Sequence, residues 1–339
     1  MKEKQEIDFV ITWVDDTDSE WQKEKAKYTS EPHTDDKIER YRNWDLLKYW
    51  FRGVEKYAPW VRKIHFITCG HVPEWLNTDH PKIHVVKHED YIPTEYLPTF
   101  NSNVIEIYLH RINDLADRFV YFNDDMFLNA NIEPTAFFVD GKPCDILAFQ
   151  PVVANPTNPV MSHLYMNNSL VLSKYFHKRE NIKKQPSKYF NIKYPALYFG
   201  YNFLELTFPR YTGFFSAHGP MPFLKSTFEK LWELEESAFK EMSNHRFRSK
   251  DDLTPYLFRE WQKLTGEFCP KNILRDFAYF EISDDTEKLI NTIVKQKKKI
   301  ICINDVGNDF EYKKVKKELH NAFDKVLAEV SSFERESGK

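Results

Sequence analysis

Glycine is scarce in this chain, with 9 among 339 residues. Dinucleotide and P-loop sites need glycines where the backbone approaches phosphate. Neither G-x-G-x-x-G nor G-x-x-x-x-G-K-[ST] occurs, so both sites are excluded. Cysteine is equally sparse: Cys69, Cys144, Cys269 and Cys302 lie far apart and form no C-x-x-C. That spacing reads as free, buried thiols in a reducing compartment and argues against zinc. No apolar run approaches the ~20 residues of a membrane span. The first six residues are polar and lead into a strand, so no signal peptide is expected. The net charge is only -3, which makes no global case for nucleic acid. There is no internal repeat and no low-complexity segment. These absences together predict a cytoplasmic protein, soluble or peripheral to the inner face of the cell membrane.

Aromatic residues, by contrast, are plentiful at 16%. With 42% hydrophobic and 29% charged residues, the chain can bury a sizeable core, which excludes global disorder. Strand and helix patterns alternate over the first ~130 residues. Residues 8–15, DFVITWVD, read as a strand ending on acids, with Asp16 and Asp18 close behind. Leu47, Trp50, Val54 and Tyr57 share a helical face that Pro59 closes. Residues 63–69 and 83–86 are two further strands, and a loop follows over 88–100. Asn103 with Glu106 resembles a capping box. Ile105, Tyr108, Ile112 and Leu115 then mark a helix face. This order predicts an α/β layer with a mostly parallel sheet, whose ligands sit at the carboxyl ends of the strands.

The run FVYFNDDMFL, residues 119–128, carries the most chemistry. Its apolar start reads as a buried strand, and Asn123, Asp124 and Asp125 follow at once. Adjacent carboxylates repel, and burying either needs a cation or strong donors. A divalent ion holding a diphosphate resolves that cost, and oxygen ligands suit Mg²⁺ or Mn²⁺. A strand-end turn with solvated acids is the plainer reading of the same tripeptide.

Beyond it, residues 134–211 are rich in Pro, Asn and aromatics and show little periodicity. The basic stretch 174–193 reads as a loop or lid. Helical spacing returns with Phe223, Phe228, Leu231, Leu234 and Ala238. Another helix is predicted over 253–264. Residues 299–303 form a short strand ending on Asn304 and Asp305. Val315, Leu319, Ala322, Val326 and Val330 mark a last amphipathic helix.

Four blocks together resemble the Stealth family. The first is IDFVITWVD, residues 7–15, where the family has V-D-G and this chain has Asp16 in place of the Gly. The second runs from RYR, residues 40–42, through VEKYAPW, 54–60, and LPTFNSN, 97–103. It continues through His110 and Arg111 to YFNDDMFL, 121–128. The third holds HGP, 218–220, and HRFR, 245–248, and the fourth is CIND, 302–305. Stealth proteins are sugar-1-phosphate transferases of bacterial capsule and surface polysaccharide synthesis. They are similar to the catalytic subunit of the lysosomal-enzyme N-acetylglucosamine-1-phosphotransferase.

The resemblance implies a GT-A-like core, with a mixed, helix-rich insertion and C-terminal region. One catalytic unit would then have three sections: residues 1–133 for the nucleotide-sugar, an insertion or lid at 134–222, and a helical region at 223–339 with a strand returning to the core. It implies a UDP-sugar donor, a glycan acceptor that can be lipid-linked, and release of UMP. A glycosyltransferase releasing UDP is the near alternative. A non-catalytic glycan- or nucleotide-binding protein is the distant one. The oligomeric state is not legible.

Phosphoryl-type transfer rests on positioning and on charge stabilisation. The metal would be held by Asp124 and Asp125, with Asp305. The donor would meet Thr12, Trp13, Asp15, Asn101, Asn103, Arg111 and Asn123. The transferred phosphate would face Arg246 or Arg248, which share a face if they lie on a strand. His218 is the candidate base, since its titration range suits neutral pH. Each has a plainer alternative. Asp15 can cap a turn, His218 can shape the turn at Gly219-Pro220 or bind phosphate, and Asn101 and Asn103 can cap the helix after Phe100. The lysines at 295–299 and 313–317 read as solvated faces or as attraction to anionic lipid.

Overall fold

The computed structural model describes residues 6–29, 42–156, 158–307 and 310–335. Arg40 and Tyr41 of the second block lie outside them. The first half runs β1 (Asp8–Thr12), α1 (Ser19–Ala26), α2 (Leu47–Tyr57), β2 (Ile64–Thr68), β3 (Ile83–Lys87), α3 (Ser102–Ile107), β4 (Arg118–Phe122) and β5 (Met126–Leu128). The middle adds β6 (Phe138–Val139), β7 (Lys142–Asp145), α4 (Pro159–Tyr175), α5 (Lys178–Lys184), α6 (Pro186–Tyr189) and α7 (Ala196–Glu205). The remainder holds β8 (Met221–Leu224), α8 (Lys225–Met242), α9 (Tyr256–Thr265), β9 (Cys269–Pro270), β10 (Phe277–Glu281), α10 (Glu287–Val294), β11 (Ile300–Asn304) and α11 (Tyr312–Val326).

The main sheet has the order β3-β2-β1-β4-β8. Its first four strands are parallel and β8 closes the edge antiparallel. Successive side chains of a strand face opposite sides. Phe9 and Ile11 of β1 therefore join one apolar cluster, with α2, β5, β11, α10 and α11. Val10 joins the other, with α3, α8 and α9. β4 divides the same way, Val120 and Phe122 against Phe119 and Tyr121. A sheet covered on both faces explains why these strands read as continuous apolar runs. Two small sheets, β10-β11-β5 and β6-β7-β9, extend the layer. α2 lies tight on β5: a Cβ at Gly53 would stand 2.9 Å from the Leu128 carbonyl oxygen.

One buried charge anchors the foot of β1. Asp8 accepts from Arg62 Nε at 2.8 Å and from the Ala116 amide at 2.8 Å, and His65 Nε2 lies 3.0 Å away. Burial works against the Asp8 charge, but His65 and Arg62 outweigh it and hold the carboxyl below its ordinary value.

Several expectations are corrected. The helix expected to carry Ile112 and Leu115 stops at Ile107 and continues as a single 3-10 turn, Leu109–Arg111. Of the two asparagines expected to cap α3, Asn101 does so, accepting from the Asn103 amide, and the capping box of Asn103 with Glu106 does not form. The stretch 174–193 is no open loop. It is the end of α4 followed by α5 and α6. Lys178 is buried there, donating to Glu205 at 2.6 Å and to the carbonyls of Glu205, Phe208 and Arg210. Polar anchors at irregular spacing leave no apolar period to read. The helix expected at 253 begins at Tyr256, and α11 ends at Val326, leaving Val330 exposed.

Candidate active site

The parallel strands β1 and β4 end side by side, Ile11 opposite Phe122. Thr12 ends one strand and Trp13 follows it, and Asn123, Asp124 and Asp125 follow the other. Antiparallel β8 starts at this same edge, with Met221 opposite Tyr121. His218, three residues before Met221, is thereby brought to Asp125. β11 pairs with β5 and delivers Cys302 to the same carboxylate. The HGP turn is tight, since a Cβ on Gly219 would fall 2.7 Å from the Phe277 ring. A cleft of about 740 Å³ opens over this edge. Such crevices beyond the carboxyl ends of strands are the usual ligand sites of α/β sheets.

Asp125 is the hub. Its Oδ2 lies 3.2 Å from His218 Nε2 and accepts from Cys302 Sγ at 3.2 Å. Its Oδ1 is buried with no hydrogen-bond partner. Asp124 opens to the cleft, yet protein mass around it and the neighbouring Asp125 push its carboxyl up to about 7. Burial opposes charge on His218, but Asp125 overrides it and raises the imidazole above its ordinary value. The other ring nitrogen, Nδ1, lies 3.1 Å from the Tyr256 hydroxyl. Cys302 is held protonated by burial beside Asp125.

An orphaned carboxylate oxygen next to a second, mutually repelled carboxyl fits a cation. Asp125, His218 and Cys302 have ligand atoms within 4.8 Å of one another, the one such trio among the described residues. Asp124 and Asp125 are the hard oxygen donors at this edge, and Mg²⁺ commonly takes one or two carboxylates from protein. Asp305 lines the cleft but accepts from Arg42 Nη1 at 2.9 Å and from the Gly307 amide.

The other expected residues divide. Thr12, Trp13, Asn103, Asn123 and Arg248 line the cleft. Arg248 donates to Ser102 Oγ at 2.6 Å. Arg246 is turned away, donating to the Pro98 carbonyl at 2.8 Å and lying over Tyr28. The strand needed to place both arginines on one face does not form here. Arg111 stacks on Tyr108 and Trp232 and does not line the cleft. Asp15 caps its own turn, accepting from the Thr17 amide and hydroxyl. Asn101 is buried, donating to Asp252 at 2.8 Å and to the carbonyls of His245 and Phe247. Asn103 also donates to Asp252.

Sequence reasoning assigned no site role to Glu106. Its carboxyl accepts from Tyr121 at 2.8 Å, and Tyr121 in turn lies 2.9 Å from Thr12 Oγ1. Burial pushes it up to about 7, against the pull of Tyr121 and the charges of Arg248 and His218. The available signal was a carboxylate amid the apolar residues Val104, Ile105 and Ile107, which a solvated cap would not explain. Tyr256 had no signal beyond its type, and Arg42 had only its place in the RYR block, residues 40–42.

Three sequence models match the chain, all of Stealth proteins: conserved region 1 over residues 5–31, region 2 over 40–145 and region 3 over 217–257. The capsular polysaccharide phosphotransferase WcwK of Streptococcus pneumoniae is 42% identical over 338 residues, covering 99% of this chain and 100% of its own. The exopolysaccharide phosphotransferase cps2G of Lactiplantibacillus plantarum is 37% identical over 337 residues, covering 97% and 96%. The receptor polysaccharide phosphotransferase WefC of Streptococcus oralis is 36% identical over 335 residues, covering 97% and 99%. A crystal structure of an LgtC active-site mutant superposes only distantly, at a TM-score of 0.35 with 11% identity, covering 92% of this chain and 95% of that one. With likeness to its relatives running from end to end, the chain belongs to the Stealth family and is a phosphotransferase.

Proposed function

We propose that the chain transfers a sugar-1-phosphate from a UDP-sugar to a glycan hydroxyl in cell-surface polysaccharide synthesis. The acceptor oxygen attacks the β-phosphorus. The bond from that phosphorus to the bridging oxygen breaks, a phosphodiester forms, and UMP leaves. The observation that carries this reading is the convergence of Asp124, Asp125, His218 and Arg248 on one cleft at the sheet's carboxyl edge.

The residues divide the work. Thr12, at the end of β1, and Trp13, just beyond it, face the nucleoside. Arg248 faces the diphosphate, where a fixed cation counts most as charge shifts in the transition state. Asp124 and Asp125 would hold Mg²⁺ or Mn²⁺, which when bound supplies charge neutralisation on phosphate oxygens. Asp125 orients His218 through Nε2, and Nδ1, which meets the Tyr256 hydroxyl at 3.1 Å, takes the acceptor hydroxyl's proton once the acceptor replaces that contact. Glu106, near Arg248 and His218, balances their charge when the cleft is empty.

The test is the nucleotide product. Incubation with a panel of UDP-hexoses, a glycan acceptor and Mg²⁺ or Mn²⁺ should release UMP. UDP as the product would assign a glycosyltransferase instead. No nucleotide product from any donor, with or without the cation, would leave only a binding protein.

A further inference from the structure

Helices of water-soluble proteins put polar residues outward and apolar ones inward. α7 does the reverse. Its buried positions are Asn202 and Glu205. Asn202 accepts from the Phe149 amide at 2.8 Å and donates to the carbonyls of Leu147 and Tyr189. Glu205 pairs with buried Lys178 at 2.6 Å. Its outward face carries Ala196, Leu197, Gly200, Phe203 and Leu204, with no charged side chain. Leu197, Phe203 and Leu204 are 57%, 53% and 59% exposed. Leu206 and Phe208 continue the face just past the helix, and Ile192 stands before it at 94% exposure. Contiguous exposed apolar patches of this kind mark contacts with protein or membrane.

The surrounding charge selects between those partners. Residues 177–211 hold seven Lys or Arg and two Glu, in a chain whose net charge is -3. Lys183, Lys184, Lys193 and Arg210 are exposed against a single exposed acid, Glu180, since Glu205 is buried in its pair with Lys178. Lys193 directly follows Ile192 and Arg210 comes two residues after Phe208, so cations flank the apolar face at both ends. An uncharged apolar face flanked by cations is the composition of a helix lying in a bilayer interface. Its apolar side enters the acyl boundary and its cations meet anionic headgroups. None of the described helices is long and apolar enough to cross a membrane. The face is rigid from behind: Tyr198 of α7 packs on Phe215 with ring centroids 4.1 Å apart, and Phe215 lies three residues before His218.

We propose that the outward face of α7, with Ile192, Leu206 and Phe208, docks the protein on an anionic lipid bilayer. The cleft is thereby presented to acceptors anchored in that bilayer. This last step rests on the proposed sugar-1-phosphate transfer, but the docking itself does not.

The test is co-sedimentation of the whole protein with vesicles of phosphatidylglycerol and phosphatidylcholine, against vesicles of phosphatidylcholine alone. The unaltered protein should bind the anionic vesicles. Phe203→Glu with Leu204→Glu should lower that partition about tenfold or more, leaving UMP release with a soluble acceptor unchanged. Lys193→Glu with Arg210→Glu should abolish the preference for anionic vesicles. If the paired glutamates disturb the circular dichroism melt, Leu204→Gln alone gives the same comparison and should still weaken binding. Absence of vesicle binding, or binding indifferent to Leu204, would overturn the docking face. So would a dimer by light scattering that Leu204→Gln dissociates, since a second copy would then cover it. Vesicle binding with UDP as the product would keep the docking face and remove the proposed reaction. UMP release without vesicle binding would do the opposite.

Discussion

The sheet half and the insertion between β7 and β8 reach order by different means. β1, β2 and β4 alternate their side chains between two apolar clusters, and every residue of β2 is buried. The insertion is knitted by buried polar groups. Lys178 pairs with Glu205, Asn181 receives the Tyr189 hydroxyl at 2.6 Å, and Asn202 bonds three backbone groups. Arg259 grips Asp145 at the insertion's foot, Nε to Oδ2 at 2.6 Å. Apolar burial is additive and tolerant of small changes. A buried polar network is not, because losing one partner strands the other. The site draws one half of its central contact from each region. Asp125 comes from the sheet and His218 from the end of the insertion.

The contrast predicts effects of different size and kind. Asp125→Ala should lower turnover by about a thousandfold or more, several kcal/mol of lost charge stabilisation, while the fold survives. Asp124→Ala should do nearly the same. Steady-state rates with and without EDTA check this, and near-normal activity in both variants would remove the metal reading. Next in size, Lys178→Ala should cost about 3 kcal/mol of stability in denaturant titration, because Glu205 is left buried and unpaired. Lys178→Met with Glu205→Leu should recover much of that loss. If the double variant is as unstable as the sum of the single ones, the insertion is held by packing, as the sheet is.

Arg248→Ala should cost about a hundredfold in kcat, with a smaller change in donor KM. Arg246→Ala, outside the cleft, should stay within a few-fold. Equal losses would mean that the cleft rearranges when donor binds. The smallest effect concerns Asp8, the one buried acid at the foot of β1. Its carboxyl is held below the ordinary 3.8. Its stabilisation is therefore complete above that value and is lost as pH falls through the lower folded value. Asp8→Asn should cost about 1–2 kcal/mol at pH 7 and progressively less below pH 4. A deficit independent of pH would show that the carboxylate charge is not what anchors the strand.

How much was legible follows the same division. β1, β4 and β11 each carry an apolar run, as do β2 and β3 apart from His65 and His84, and α2, α8 and α11 carry a helical period, so these were readable, although Phe223, read with the helix, lies on β8. Asp124 and Asp125 were readable because two acids end a buried strand. α4 to α7 were not, since Asn181, Asn202, Lys178 and Glu205 stabilise them from positions that look solvent-facing. Arg246 and Arg248 looked equivalent until the backbone around Phe247 turned one of them away. Glu106 was misread because a short helix with a buried carboxylate looks like a capping box. His218 was nameable from its motif. Its pairing with Asp125 was not, because that depends on β8 running antiparallel to β4.

The most direct test of the account follows a single bond. A UDP-sugar carrying ¹⁸O between the sugar C1 and the β-phosphorus is turned over with a glycan acceptor. Mass spectrometry then locates the label. Sugar-1-phosphate transfer leaves the C1–O bond intact, so the label should appear in the glycan phosphodiester, with unlabelled UMP released. Label leaving in UDP, with the glycan free of new phosphate, would contradict it.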